Sequence, residues 1–453
     1  MATRSATIRL ESAYSGHVNP QWVALLNLLE MNVEYARCLG TELFTSDGRR
    51  ILDFLSGYCV HNTGHNHPHI IQSLKEELDR RGPAMLQSHA PELAGELAQK
   101  LCALAGGDLQ KVFFCSSGSE GVEAAIKFAR ATTGRTGLLY AQHGFHGLTA
   151  GALSLMSDSF WSDGFGPFLQ DSAAVPFGDL PTLERALSAK TSACFIVEPI
   201  QAEAGIIVPD ASYLKEAERL CRQYGTLFIL DEVQTGMFRT GTFLAAHQFG
   251  VTPDIVILAK ALSGGLVPVG AVLMTDAVYS SVYTSLKRAI VHTSTFGENS
   301  LSMRAGLATL AVLEQESLGK RAISAGEEFR ARLGEALAPY EMVKEVRGLG
   351  MLSGIEFMAP RKLVLAASFK AFQAVHPAMF GQMIVMRMFR DHNILTQICG
   401  NNFMVLKAAP PLTVAREQLS EFITSLCDVM EIMHSSSTFW TEALGLARRA
   451  INI

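Results

Sequence analysis

The sequence predicts an α/β protein built around a mostly parallel sheet, and three observations carry that prediction. Between about residue 90 and residue 275, short β-rich runs alternate with segments of helical period, the pattern of strand-helix units. The β-rich runs are apolar in succession, as strands buried on both faces are. The helical segments end at or beside a glycine.

In chain order, the predicted strands are "KVFFCSS" (111–117), "TGLLYAQ" (136–142), "ACFIVEPI" (193–200), "GTLFILDEV" (225–233), "PDIVILAK" (253–260) and "VGAVLM" (269–274). The helices between and before them are "PELAGELAQKLCALAG" (91–106), "SEGVEAAIKFARATTG" (119–134) and "YLKEAERLCRQYG" (213–225), each with apolar residues near helical spacing. A long helix pattern from Ser300 to Glu316 leads into a C-terminal region of less regular alternation, where a second, smaller domain is expected.

Length and composition bound the function. A chain of 453 residues, 48% hydrophobic and 18% charged, buries a large core and suggests more than one domain of a soluble globular protein. The formal net charge of −5 gives no electrostatic reason to expect nucleic acid or an anionic membrane as a partner, so small molecules are expected instead. Eight cysteines, scattered singly without a C-x-x-C pair, suggest neither a disulfide framework nor a zinc site and fit a reducing cytoplasm. No apolar run is long enough to span a bilayer and the first residues lack a signal-like apolar stretch, so no membrane insertion is expected.

Ligands of such sheets collect at the carboxyl ends of the strands, and five of those ends carry unusual chemistry. After "KVFFC" the small-residue turn Ser116-Ser117-Gly118-Ser119-Glu120 opens a helix, where free backbone N–H groups and hydroxyls suit a phosphate. After "GLLYAQ" comes His143-Gly144-Phe145-His146-Gly147, in which Phe145 is placed to stack on a planar ring. "ACFIV" ends on Glu198, and "FIL" runs into Asp231 and Glu232. "DIVIL" runs into Ala259-Lys260, and a lysine desolvated in a cleft is more readily neutral and nucleophilic toward a carbonyl. An isolated lysine there would snorkel to water and an isolated Asp-Glu would cap a turn. Together, a phosphate cradle, a stacking ring, a carboxylate and a lysine describe a site for pyridoxal 5′-phosphate, whose pyridinium nitrogen wants an Asp partner.

Seven segments carry a family resemblance: "GHNHP", "SSGSEGVEAAIKFAR", "HGFHG", "VEPIQAEAG", "FILDEVQTG", "DIVILAKALSGG" and "HTSTFGEN". In this order they resemble the class III aminotransferases, from about Leu43 to Thr413. The resemblance implies the pyridoxal-phosphate-dependent transferase fold of type I, a large domain with a sheet of the seven-stranded type and a smaller α+β C-terminal domain. The expected division is 1–75 as an N-terminal segment contributing to the small domain and the entrance, 76–335 as the large domain and 336–453 as the small one.

The resemblance also implies roles. Lys260 would be the Schiff-base lysine and proton shuttle, and Asp231 would keep the ring nitrogen protonated, since an opposite charge raises that nitrogen's pKa. Gln234 would meet the phenolic oxygen, Gly118 and Ser119 the phosphate, and Phe145 the ring, with Ser117 and His146 completing the cofactor-binding set. Thr295 would reach the phosphate of a neighbouring subunit, which implies a homodimer with shared sites. Glu232 is expected to orient its loop rather than touch the cofactor. A metal at His61, His65, His67 and His69 is set aside, because no further Cys or Glu spacing completes a site. Tyr58 matches a substrate-pocket tyrosine, although a packed core tyrosine reads equally well.

Two departures bear on the substrate. Where ornithine-type members of the family carry an arginine after the aromatic-x-Gly element, this chain has Leu148. Where they carry a second arginine that pairs with the glutamate matching Glu203, it has Lys407. A lysine keeps the charge and loses the two-pronged geometry that matches a carboxylate. The Met- and Phe-rich stretch 363–389 reads as core, or as an apolar channel if it lies near the substrate mouth. The expected reaction is transfer of a terminal primary amino group between an amine and a 2-oxo acid or aldehyde, with glutamate/2-oxoglutarate as partner. The expected substrate lacks an α-carboxylate: a diamine such as putrescine, or a long apolar aldehyde. An ornithine or acetylornithine aminotransferase and a same-fold decarboxylase or aminomutase remain as alternatives.

Overall fold

The computed structural model describes residues 12–451 apart from 87, 376–378 and 436. Its centre is a seven-stranded sheet in the order Leu109–Cys115, Gly270–Thr275, Ile255–Leu258, Leu227–Asp231, Ser192–Val197, Gly137–Ala141, Ser172–Val175. Gly270–Thr275 runs antiparallel to both its neighbours and the remaining pairs are parallel. The apolar strands Ser192–Val197 and Ile255–Leu258 are buried along their whole length, as expected of strands with helices on both faces. Helix Gly118–Thr133 packs on this sheet and its glycine Gly121 has no room for a side chain, since a Cβ there would come within 2.7 Å of Ile257.

The glycine stops act as expected. Gly106, Gly134 and Gly225 follow helices Glu92–Ala105, Gly118–Thr133 and Tyr213–Tyr224 with φ of 67°, 66° and 64°, a region that favours glycine. Each predicted strand overlaps an observed one. The strand Ser172–Val175 was not expected: it lies at the sheet edge, is only partly buried and has too little apolar run to announce itself.

Two smaller sheets flank the large one. Val343–Leu349, Leu352–Phe357, Asn402–Ala408 and Gln397–Cys399 form an antiparallel sheet in the C-terminal region. Tyr35–Leu39, Glu42–Thr45 and Arg50–Asp53 form a meander whose last strand is joined in parallel by Ile394–Leu395. The N-terminal meander is thus hydrogen-bonded to the C-terminal region.

The stretch 363–389 answers one open reading. Residues 376–378 within it lie outside the described residues. Phe372, Met379, Phe380, Met383, Met386, Met388 and Phe389 are buried, and helix Met379–His392 packs against Arg416–Ser435, Ser437–Ile451 and Asn402–Ala408. None of the described residues of the stretch lines the cavity described below. They form core, because flexible Met side chains fill irregular gaps between helices, and the channel reading is withdrawn. No helix among the described residues is long and apolar enough to cross a membrane.

Candidate active site

The carboxyl ends of the parallel strands converge on one cavity of about 520 Å³. Ser117, Gly118, Ser119, Phe145, His146, Asp231, Gln234 and Lys260 all line it, so the structure brings together every residue expected to hold the cofactor except Thr295.

Each is positioned by local structure. Ser117 is the N-cap of helix Gly118–Thr133: its Oγ accepts from the Glu120 N–H at 3.2 Å, while the Glu120 carboxylate accepts from the Ser116 N–H at 2.7 Å. This reciprocal cap leaves the N–H groups of Gly118 and Ser119 without a partner inside the helix, at its positive end. Gly147 has a φ of 121°, and a Cβ there would come within 2.2 Å of Ser119 Oγ. Only glycine lets the two loops approach.

Asp231 ends its strand buried, with Oδ2 2.8 Å from His146 Nδ1 and Oδ1 accepting from the Val233 N–H at 3.1 Å. Burial alone would lower the His146 pKa, but the hydrogen bond and charge of Asp231 raise it above its usual value. Glu232 points the other way, accepting from Thr235 Oγ1 at 2.6 Å and from the Ala245 and Ala246 N–H groups at 2.9 and 2.8 Å. It fixes the loop, as expected, and is not a cavity residue.

Lys260 opens a short 3-10 helix with a φ of 45°, a backbone conformation that non-glycine residues adopt at a cost and that recurs at functional sites. Its Nζ donates to Gln234 Oε1 at 3.1 Å. Glu198, visible in the sequence only as an acidic strand end, accepts from the Phe145 N–H at 2.9 Å and from the Ala202 N–H at 3.2 Å. Burial, opposed by the charge of His146 and reinforced by that of Asp231, pushes its carboxyl up to about 7.

Tyr58, Glu203 and Lys407 form a separate group. Lys407 is 0% exposed and its Nζ contacts Glu203 Oε1, while Glu203 Oε2 accepts from the Gly400 N–H at 2.8 Å. The Tyr58 ring lies 5.3 Å from Lys407 Nζ and is 40% exposed, so it is not a packed core tyrosine. None of the three lines the cavity, although the charge of Lys260 acts on Glu203. Leu148 is 54% exposed and also outside the lining, and Thr295 is exposed. In the "GHNHP" segment, His65 pairs with Asp53 at 2.7 Å, His67 with Glu316 at 3.0 Å, and His61 stacks on His65. His61 also backs Gly265 of the cavity wall, where a Cβ would meet its ring at 2.4 Å.

Sequence reasoning missed Trp161. Its ring meets Phe145 edge-on at 5.2 Å and its Nε1 donates to Asn401 Oδ1 at 2.6 Å, bracing the Phe145 loop against the C-terminal region. No periodicity signals such a contact across more than two hundred residues.

The cavity fits pyridoxal phosphate on its own terms. A helix N-terminus with unpartnered N–H groups suits a phosphate, Phe145 and Val233 would give a ring apolar lining, Asp231 would face its nitrogen and Gln234 its opposite polar edge, and Lys260 would supply an amine. Residues 27–430 match the family "Aminotransferase class-III", so the chain belongs to the class III aminotransferases, which depend on pyridoxal phosphate. The chain is 35% identical over 449 residues to the aminotransferase PigE of a Serratia species, covering 92% of this chain and 53% of PigE. It thus spans about half the length of that relative. It is 36% identical over 441 residues to the putrescine aminotransferase of Pectobacterium atrosepticum, covering 94% of this chain and 89% of the relative. Among solved structures it is similar to the ornithine aminotransferase of Toxoplasma gondii, whose active site holds pyridoxal phosphate at partial occupancy, with 29% identity, a TM-score of 0.79 and coverage of 89% of this chain and 91% of that one.

Proposed function

We propose that this chain transfers the terminal amino group of a primary amine lacking an α-carboxylate, a diamine such as putrescine above all, to a 2-oxo acid. The observation that carries the reading is the composition of the cavity wall: among the described residues it contains no arginine, and the one ammonium among them is that of Lys260. Leu148 is exposed and apolar, and Lys407 is already engaged with Glu203. An α-carboxylate on the amine donor, entering while Lys407 stays closed on Glu203, would lose its hydration with no guanidinium to receive it. The similarity to a putrescine aminotransferase supports the same substrate class.

The roles follow from the geometry. The bound cofactor supplies a protonated pyridine ring that delocalises the electron pair released at the amine-bearing carbon. Asp231 holds the positive charge at the ring edge, and its own orientation is held by His146 and the Val233 N–H. With the cofactor bound, Lys260 Nζ would be the amine that carries a proton to and from the amine-bearing carbon, and Gln234 Oε1 would orient it. Glutamate/2-oxoglutarate is the proposed partner pair, admitted by an opening of the Glu203–Lys407 contact, with alanine and pyruvate as the alternative.

The proposal includes a homodimer with shared sites. Thr295 lies outside the cavity of its own chain, in a stretch that exposes Leu286, Ile290, Val291 and Phe296, an apolar surface of the kind that marks an interface. It also includes a cytoplasmic location, which the eight unpaired thiols support, and the division into a large domain at 76–335 and a small one at 336–453 with 1–75.

The test is a screen of amine donors against several 2-oxo acids, read as kcat/KM. Carboxylate-free donors are expected to outperform ornithine and acetylornithine, and Leu148→Arg is expected to move preference toward ornithine. A wild-type preference for ornithine over every carboxylate-free donor overturns the proposal. Activity without any 2-oxo acid would point instead to a decarboxylase or aminomutase.

A further inference from the structure

Among the described residues Arg239 is one of the largest fully buried side chains, 0% exposed, and its hydrogen-bond partners are all neutral. Its Nη1 donates to the carbonyls of Met351 at 3.0 Å and Pro410 at 2.6 Å. Its Nη2 donates to Ser56 Oγ at 3.2 Å and Asn62 Oδ1 at 2.5 Å. A buried cation among neutral acceptors is costly, and what these acceptors share is their place in the chain. Ser56 and Asn62 flank Tyr58, Pro410 lies three residues after Lys407, and Arg239 itself lies five residues after Gln234.

The segment between Ser56 and Asn62 is the least relaxed backbone near the site. Ser56, Gly57, Tyr58 and Cys59 have φ of 48°, 61°, 60° and 68°, so four consecutive residues, three of them not glycine, are left-handed. L-residues do not hold such a run unless the surroundings impose it. The entry is fixed by Asp53 Oδ1, which accepts from the N–H groups of Leu55 and Ser56 at 2.8 Å each, and by Ser56 Oγ, which donates to the Ala409 carbonyl at 2.7 Å. The exit is fixed by Asn62, whose Nδ2 donates to the Met237 carbonyl at 2.9 Å. Among the described residues, Arg239 is the one side chain that hydrogen-bonds to both Ser56 and Asn62.

We propose that Arg239 is the positioning residue of Tyr58: its guanidinium pins both ends of the left-handed turn and so fixes the phenol over the Glu203–Lys407 pair. The planar fork of the guanidinium is what spans Ser56, Asn62, Met351 and Pro410 at once, and an ammonium on a lysine stem has no such span. The positioning itself does not depend on what Tyr58 contacts; only its effect on catalysis rests on the function proposed above.

The test uses the full chain loaded with pyridoxal phosphate and carrying 3-fluorotyrosine at position 58, read by fluorine NMR. A second label at position 340, where Tyr340 packs on His434 in the C-terminal region, reports the general fold. Arg239→Lys, and separately Ser56→Ala, which removes one guanidinium contact together with the bond to the Ala409 carbonyl, are expected to shift or broaden the position-58 resonance and leave that at position 340 in place. An unchanged position-58 resonance in both variants overturns the proposal, as does a change at both positions in Arg239→Lys with none in Ser56→Ala, since that is general loosening. If Arg239→Lys does not fold, Ser56→Ala decides alone. In the folded variants KM for the amine is expected to rise roughly tenfold with little change in KM for the 2-oxo acid. A moved resonance with unchanged KM supports the positioning and removes Tyr58 from the substrate contacts.

Discussion

Lys407 and Glu203 face each other as a closed ion pair, the ammonium with no solvent exposure and the carboxylate tied at its other oxygen to the Gly400 N–H. Burial pushes the Lys407 pKa down, yet the Glu203 charge more than reverses this and the net direction is up; burial pushes Glu203 up, and Lys407 reverses it to a net fall. Removing one member leaves a buried charge unmatched, which costs about 3–5 kcal/mol. Glu203→Ala is therefore expected to lower stability by that order in denaturant unfolding, and Glu203→Gln combined with Lys407→Met to recover most of it. The pair's contribution is lost as pH falls through the depressed Glu203 pKa and as pH rises through the elevated Lys407 pKa.

Glu198 gives a pH dependence opposite in sign to that of Glu203. Its carboxyl is raised from 4.5 to about 7, so the folded chain binds a proton that the unfolded chain releases between those values. Its contribution to stability is present below pH 4.5 and lost as pH rises through about 7. Glu198 faces His146 and Asp231, and both enter its titration. Glu198→Gln is expected to flatten the slope of melting temperature against pH in that window. An unchanged slope would assign the titration to another group.

Lys260 and Asp231 separate attachment from chemistry. Lys260→Ala is expected to abolish covalent attachment of the cofactor, checked by borohydride reduction and peptide mapping, which in the wild-type chain should label Lys260 and nothing else. Asp231→Asn is expected to keep the cofactor but slow each half-reaction by orders of magnitude, because the charge that stabilises a protonated ring nitrogen is gone. The same change removes what holds the His146 pKa up, so the ring should titrate lower, a shift visible by NMR.

Thr295 tests the shared site. Thr295→Ala is expected to weaken cofactor affinity without altering the melting temperature of the cofactor-free chain, and dilution to monomers to release the cofactor. A stable monomer that binds it tightly would contradict the proposal.

The cofactor site was legible in the sequence because its chemistry sits at strand ends. An apolar run such as Leu227–Asp231 fixes where its last residue points, and a glycine-rich turn before a helix places its N–H groups. Eight of the nine expected cofactor residues meet in one cavity for that local reason.

What the amino-acid order by itself determined is therefore the α/β sheet, the glycine stops and the residues at the carboxyl edge, all set by apolar period and turn chemistry acting over a few residues. Only the tertiary structure decided that the Met- and Phe-rich helix Met379–His392 is core, that Lys407 is sealed against Glu203, that Trp161 braces Phe145, and that Arg239 in the unremarkable run "MFRTG" holds the turn of Tyr58. The contacts of Lys407 with Glu203, of Trp161 with Asn401 and of Arg239 with Met351 join segments more than a hundred residues apart, where burial and hydrogen bonding depend on how layers pack, and no local pattern encodes the partner.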